Sequence, residues 1–218
     1  MENKELFDVE QTIAKPLFKK KQYPWEVIID LDKEIISLGK NLSKDEYDEI
    51  KENVWVSKQT TIHENAIIDA PAIIGKNTEL RPGAWIRGNV IIGNNCIIGN
   101  STEVKNSILF NYVGASHFNY IGDSIIGYNT HLGAGSITSN IRLDRKNIKI
   151  KYMDKLIDTN MLKLGAVIGD NVEIGCHCVI NPGTIIGRGS IIYPLVSIKG
   201  NILENSIIKN NDRGERNE

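Results

Sequence analysis

The sequence predicts an all-β solenoid, a parallel coil of short strands, and two regularities predict it. An aliphatic residue falls at every sixth position at Val56, Ile62, Ile68, Ile74, Leu80, Ile86, Ile92 and Ile98, and again at Ile168, Ile174, Ile180, Ile186, Ile192 and Ile198. Four residues after these stands a small or β-branched residue: Thr60, Ala66, Ala72, Thr78, Ala84, Val90, Cys96 and Thr102, then Val172, Cys178, Thr184, Ser190 and Val196. A period of six is not helical, and an alternating strand would need an apolar residue at every second position. Six fits a short strand plus a turn, repeated around a prism with flat faces. The aliphatic side chain points inward and stacks on its equivalent in the next coil. The small one points inward near a corner, where a large one would not fit. Turn pairs such as Lys76-Asn77, Asn94-Asn95 and Asp170-Asn171 recur, and Asn tolerates the positive φ that such corners use. Three hexads make one triangular coil, and neighbouring coils pair through parallel ladders about 4.8 Å apart.

The first 53 residues lack the hexad. Trp25, Ile28, Leu31, Ile35 and Leu38 have helical spacing and predict a helix over 25–38. Ser43 and Glu46 read as a capping box opening a second helix over 44–52. This N-terminal helical cap, residues 1–53, is expected to cover the open end of the solenoid, which would otherwise expose unpaired strand edges. The solenoid is expected over 54–203. Residues 204–218 read as a polar C-terminal tail, disordered beyond Lys209.

The period breaks twice. Between Val104 and Leu132 the inward slots fall at Val104, Leu109, Ala115, Ile121, Ile126 and Leu132, which includes two five-residue steps. His117, two residues after Ala115, therefore projects from a turn. The second break inserts residues 141–163, with seven basic residues (Arg142, Arg145, Lys146, Lys149, Lys151, Lys155, Lys163) and three acidic ones (Asp144, Asp154, Asp158), or +4 in a chain whose total is −1. Ile148 and Ile150 alternate with Lys149 and Lys151, predicting a strand over 147–152 and a hairpin with 155–160. A basic arm leaving a rigid prism suits phosphate groups; its plain alternative is a solvated loop.

Length and composition set bounds on the rest. At 218 residues the chain is one solenoid domain with a short extra element. A net charge of −1 gives no bulk attraction for nucleic acid or membrane. No signal peptide or transmembrane run is visible, so the chain reads as cytoplasmic. Three cysteines do not make a disulfide framework, and Cys96 and Cys178 sit in the inward small slot as core fillers.

Three strings then point to one family: Leu80-Arg81-Pro82-Gly83-Ala84, Ser116-His117-Phe118-Asn119-Tyr120-Ile121-Gly122-Asp123, and Leu132-Gly133-Ala134-Gly135-Ser136-Ile137-Thr138-Ser139-Asn140. The chain resembles hexapeptide-repeat acyltransferases. Within these it is similar to the acetyltransferase domain of bifunctional GlcNAc-1-phosphate uridylyltransferase/glucosamine-1-phosphate acetyltransferases, and the stretch from Asn140 to Lys146 looks closer still to archaeal members. The resemblance implies a left-handed parallel β-helix; the hexad alone does not give the hand, since parallel crossovers are right-handed in about 98% of cases. The Trp-containing N-terminal part resembles stand-alone homologues labelled UDP-N-acetylglucosamine pyrophosphorylase. Nucleotidylyl transfer in that superfamily uses a Gly-x-Gly-Thr-Arg loop on a separate domain. No such string occurs here, so pyrophosphorylase activity is not expected of this chain alone.

The resemblance implies an acetyl-CoA-dependent N-acetyltransferase acting on an amino-sugar 1-phosphate, with no metal. His117 matches the base that takes the proton of the attacking amine, a role suited to an imidazole titrating near neutral pH. Arg81 and Lys105 match sugar-phosphate ligands, Tyr120 and Asn140 match contacts to the sugar, and Lys146 a basic residue near the acceptor. Ala134, Lys149 and Cys176 match positions at the acetyl-CoA, with backbone N–H groups near Gly133-Ala134-Gly135 suited to the thioester oxyanion. A homotrimer with sites between adjacent prisms is implied as well. His131 stands where the family commonly carries Asn, so the acceptor pocket departs from the family's. The bland readings are a surface histidine at His117, a turn-capping Arg81, a solvated Lys105 and an inert Cys176. The alternative at the level of the chain is a non-catalytic trimeric or regulatory partner of a nucleotidylyltransferase. A γ-class carbonic anhydrase, which shares the fold, needs two histidines five apart, whereas the gaps here are 54, 14 and 46.

Overall fold

The inward aliphatic residues stack into one continuous core running the length of a three-faced parallel β-helix. In the computed structural model, which describes residues 3–19, 21–152 and 155–210, the coil makes about 8 turns and is the left-handed hexapeptide-repeat solenoid that the resemblance implies. The first face runs from Val54–Ser57 through Ala72–Ile74, Val90–Ile92, Ser107–Leu109, Ile125–Ile126, Ala166–Ile168 and Thr184–Ile186 to Asn201–Ile202. The second begins at Thr61–Ile62 and includes Gly114–His117 and His131–Leu132; the third begins at Ile67–Asp69 and includes Glu103–Lys105, Tyr120–Gly122 and Ile137–Thr138. Strand pairing on the second face continues to Ile207–Ile208, past residue 203. The tail beyond residue 210 lies outside the described residues.

Val104, Leu109, Ala115, Ile121, Ile126 and Leu132 all lie in the inner core, as their spacing predicts. So do Cys96 and Cys178, and burial pushes the Cys96 thiol up to about 12. Hydroxyls in the small slot serve the turn above. Thr78 Oγ1 donates to Gly93 O at 2.8 Å and accepts from Cys96 N at 3.1 Å. Ser136 Oγ donates to Gly175 O at 2.7 Å and accepts from Cys178 N at 3.1 Å. Each inward Ser or Thr thus pairs backbone groups that a buried corner would leave unsatisfied.

The N-terminal segment differs from expectation in three ways. At the open end it covers only the edge of the first sheet, through one strand; the rest lies along the outer side of the first face. Leu6, Phe7, Phe18, Trp25, Leu31 and Ile35 pack there on Ile73, Ile91, Ile108, Phe110 and Ile125. The reason is a pattern the hexad conceals: the residue before the inward one is apolar on this face in coil after coil, at Trp55, Ile73, Ile91, Ile108, Ile125, Val167 and Ile185. Such a face must be covered on both sides. The helix expected over 25–38 is split into a 3-10 turn at Pro24–Ile28 and a helix at Leu31–Gly39, because Asp30 takes a left-handed φ of 57° between them. The helix expected over 44–52 is instead a strand, Tyr47–Lys51, paired antiparallel with Val54–Ser57. Glu46, read as a capping residue, bonds Lys76 at 2.6 Å. Pairing along the first sheet edge outweighs local helix chemistry here, and this strand shields that edge.

The basic insertion forms the predicted hairpin, Lys149–Tyr152 with Lys155–Asp158. Its Ile148 and Ile150 are buried against the same outer first face, beside Val167 and Ile185.

Candidate functional site

The corner between the second and third faces carries one column of equivalent turn positions. Left-handed φ values recur there at Gly83, Ser101, Phe118, Gly135, His177 and Leu195. Gly135 N donates to His117 O at 3.0 Å, and His177 N donates to Ala134 O at 2.8 Å. His117, Ala134 and Cys176 therefore occupy the same place in successive coils, about 4.8 Å apart along the prism axis. The turns stack closely: a Cβ on Gly99 would stand 1.7 Å from Ser116 O, so only glycine fits beneath the His117 turn. The His117 side chain and Cys176 are exposed. In the turn from Gly133 to Ser136, the N–H of Gly133 donates to Ile174 O, that of Gly135 to His117 O and that of Ser136 to Gly133 O. Ala134 supplies the N–H that no carbonyl of the described residues takes up.

A second cluster lies on the third face and at its far corner. Tyr120 projects from the outer side in register with Glu103, and Lys105 is in register with Gly122. Asn140 Nδ2 donates to Tyr120 Oη at 3.1 Å and to Asp123 Oδ2 in a short bond. Asp123 also accepts from Asn106 Nδ2 at 2.8 Å and faces Lys105 Nζ at 4.0 Å, with its side chain 6% exposed. Because both amide hydrogens of Asn140 are committed, its carbonyl oxygen is the atom it can offer to a ligand. Burial, then the charges of Asp123 and Glu103, push the Tyr120 hydroxyl above its ordinary value. Tyr120 therefore remains a neutral O–H donor across the neutral range. Arg87 Nη1 bonds Glu103 Oε1 at 2.6 Å beside this cluster.

The remaining expected residues are dispersed. Arg81 opens the same corner turn two coils below His117, with its guanidinium forked onto Glu79 at 3.1 and 3.2 Å. It is not joined to the Lys105–Tyr120–Asn140 cluster. Lys146 sits in the loop leaving Asn140, its N–H donating to Asp144 Oδ1 at 3.3 Å. A cavity of about 410 Å³ at the root of this loop is lined by Ser139, Arg142, Asp144, Asn181 and Lys199. Lys149 faces Asp158 at 3.7 Å on the hairpin. That hairpin covers the first face, opposite the His117 corner, so within one chain Lys149 does not approach Ala134 or Cys176. His131 projects from the second face one coil above Gly114, its Nδ1 2.9 Å from where a Cβ on Gly114 would stand; glycine there makes room for the imidazole.

Sequence reasoning missed Asn119, Asp123, Arg87 and Glu103. Asn119 could have been found, since it is an amide in a slot otherwise filled by Ala, Thr, Ser, Cys or Val. Asp123 gives no such signal, because its role depends on which residues the neighbouring coils bring beside it. Among the described residues, no three His, Cys, Asp or Glu side chains are grouped to hold a metal ion, and no helix is long and apolar enough to cross a membrane.

Two families match the sequence: the GMPPB C-terminal domain over residues 70–157, and the bacterial transferase hexapeptide (six repeats) over residues 165–200. The bifunctional protein GlmU of Methanococcus maripaludis (strain C5) is 34% identical over 196 residues, covering 87% of this chain and 46% of that protein. The bifunctional sugar-1-phosphate nucleotidylyltransferase/acetyltransferase of Sulfurisphaera tokodaii is 35% identical over 180 residues, covering 78% of this chain and 43% of that protein. The chain thus spans about half the length of these curated relatives. Among solved structures, LpxA from Acinetobacter baumannii superposes with a TM-score of 0.48 at 12% identity, covering 71% of this chain and 66% of that one. With its hexad, its three-faced coil and the sequence matches together, the chain is a hexapeptide-repeat protein that resembles the C-terminal half of GlmU.

Proposed function

We propose that the protein is an acetyl-CoA-dependent N-acetyltransferase of an amino-sugar 1-phosphate, working as a homotrimer whose sites lie between adjacent prisms. The observation that carries this reading is the alignment of exposed His117 with the Ala134 N–H in the next coil, which no carbonyl of the described residues takes up. His117 takes the proton from the sugar amine as its nitrogen attacks the thioester carbonyl. The oxyanion that forms is met by the Ala134 N–H. As the tetrahedral carbon collapses, the C–S bond breaks and the imidazolium returns the proton to the departing thiolate. The products are the acetamido sugar and free CoA. Lys105, Tyr120 and Asn140 serve the sugar phosphate: an ammonium for the phosphate, and an O–H donor and an amide carbonyl acceptor for the sugar. Cys176, next in the column above Ala134, lies along the path of the acetyl-CoA arm.

The test is release of free thiol from acetyl-CoA in the presence of glucosamine-1-phosphate or galactosamine-1-phosphate. His117→Ala is expected to lower kcat by about 10²–10⁴-fold, the worth of a general base. Release that His117→Ala leaves unchanged would remove the assigned base. Absence of acetyl-CoA binding by calorimetry, with co-purification of a separate nucleotidylyltransferase, would favour the non-catalytic partner instead.

A further inference from the structure

The small slot at the His117 corner holds a half-buried Ala66 in the first coil and buried Ala84, Thr102, Ser136, Cys178 and Val196 in others. In the coil of His117 it holds Asn119, 2% exposed. Where the slot carries a hydroxyl, one oxygen links its turn to the coil above: Thr102 Oγ1 donates to Ala115 O at 3.1 Å, and Ser136 Oγ to Gly175 O at 2.7 Å. Asn119 does more. Its Nδ2 donates to Gly133 O at 2.8 Å and to Ser136 O at 3.1 Å, the two ends of the turn that presents Ala134. Its Oδ1 accepts from the N–H of His117 at 3.3 Å. Its own N–H donates to Thr102 Oγ1 at 3.2 Å, anchoring it to the coil below. One buried amide therefore fastens the backbone of His117 to both ends of the neighbouring turn.

We propose that Asn119 is a positioning residue that fixes the spacing between the His117 imidazole and the Ala134 N–H. It touches no substrate and acts through the backbone of both turns. Its effect on turnover rests on the acetyltransferase reading above; its effect on geometry does not. A general base has to lie within about 2.6–3.2 Å of its proton, and a displacement near 1 Å costs about 10²-fold in rate. A residue that only filled space would affect stability and leave turnover alone.

Two substitutions separate these roles. Asn119→Ser keeps a hydroxyl that can reach Gly133 O, as Ser136 reaches Gly175 O, but releases His117; Asn119→Ala releases both. Both are expected to lower kcat by about 10–100-fold, with KM for acetyl-CoA and for the sugar phosphate within about twofold. Asn119→Ser should melt within a few degrees of wild type, while Asn119→Ala melts lower. The amide ¹H–¹⁵N resonances of His117 and Ala134 should move in both variants. Wild-type kcat in Asn119→Ser, or unmoved His117 and Ala134 resonances, would overturn the proposal. If wild-type protein releases no thiol but these resonances still move in Asn119→Ser, the acetyltransferase reading fails while the clamp stands.

Discussion

The Asn140 side-chain amide donates to the Tyr120 hydroxyl at 3.1 Å, joining two residues twenty positions apart, with Asp123 holding the other amide hydrogen. The bond fixes which way Asn140 faces, and it leaves the Tyr120 hydrogen free to be donated outward. Asn140→Ala should therefore weaken acceptor recognition and leave acetyl-CoA recognition alone. We expect kcat/KM for the amino-sugar phosphate to fall by about tenfold or more, equivalent to roughly 1.4 kcal/mol of lost transition-state stabilisation. KM for acetyl-CoA should stay within about twofold in the thiol-release assay. Equal losses for both substrates would place Asn140 outside the acceptor site.

The resemblance places both Lys149 and Cys176 at the acetyl-CoA, and within one chain the fold separates them. The Lys149 ammonium faces Asp158 on a hairpin over the first face, while Cys176 lies in the His117 column. Lys149→Ala should leave KM for acetyl-CoA within about twofold. Cys176→Trp, which fills that corner with a bulky ring, should raise it by about tenfold or more. The reverse order in steady-state kinetics would contradict this placement of the acetyl-CoA arm.

The outer side of the first face is a second core. Ile91 is fully buried there beneath the helix Leu31–Gly39. Ile91→Ala should cost about 2–5 kcal/mol in urea denaturation, the usual range for a buried Ile truncated to Ala. Ile50, 53% exposed on the N-terminal strand, should cost less than about 1 kcal/mol on the same change. Similar losses at both sites would mean that the N-terminal layer does not seal this face.

Asp170 holds the start of the chain to the coil. Its Oδ2 accepts from Asp8 N at 2.7 Å and from Arg188 Nη2 at 2.9 Å, and its Oδ1 accepts from Tyr128 N at 2.9 Å. Burial, the largest influence, pushes its carboxyl above the ordinary value against these bonds. Such a group holds its proton more tightly folded than unfolded. Its contribution to stability therefore falls as pH rises from the ordinary carboxylate value, about 4, through the raised one. The stability advantage of wild type over Asp170→Asn should shrink across that interval in denaturation midpoints measured at several pH values. An advantage that grows with pH would show that Asp8, Tyr128 and Arg188 outweigh the burial.

The N-terminal segment shows where local reading failed. Ser43 and Glu46 have the chemistry of a helix start, yet the segment after them is a strand, because an unpaired sheet edge lies within reach. Trp25 to Leu38 has helical spacing, yet its backbone breaks at Asp30 to follow the face beneath it. In both places a contact with residues remote in sequence outweighed a preference worth a fraction of a kcal/mol per residue.

The sequence by itself determined the solenoid, its inward stack, the two interruptions and the turn on which His117 stands. These follow from a short period, and a short period is local: each hexad reports its own strand and its own corner. Only the tertiary structure decided which residues become neighbours between coils. Five-residue steps and a long insertion change the register, so His117, Ala134 and Cys176 share a column although the gap from the first to the second is 17 positions and from the second to the third 42. The same register brings Asn119 beneath the Ala134 turn and Asp123 beside Asn140. It also carries Lys149 to the opposite face, where the paired aliphatics of the first face draw the hairpin down.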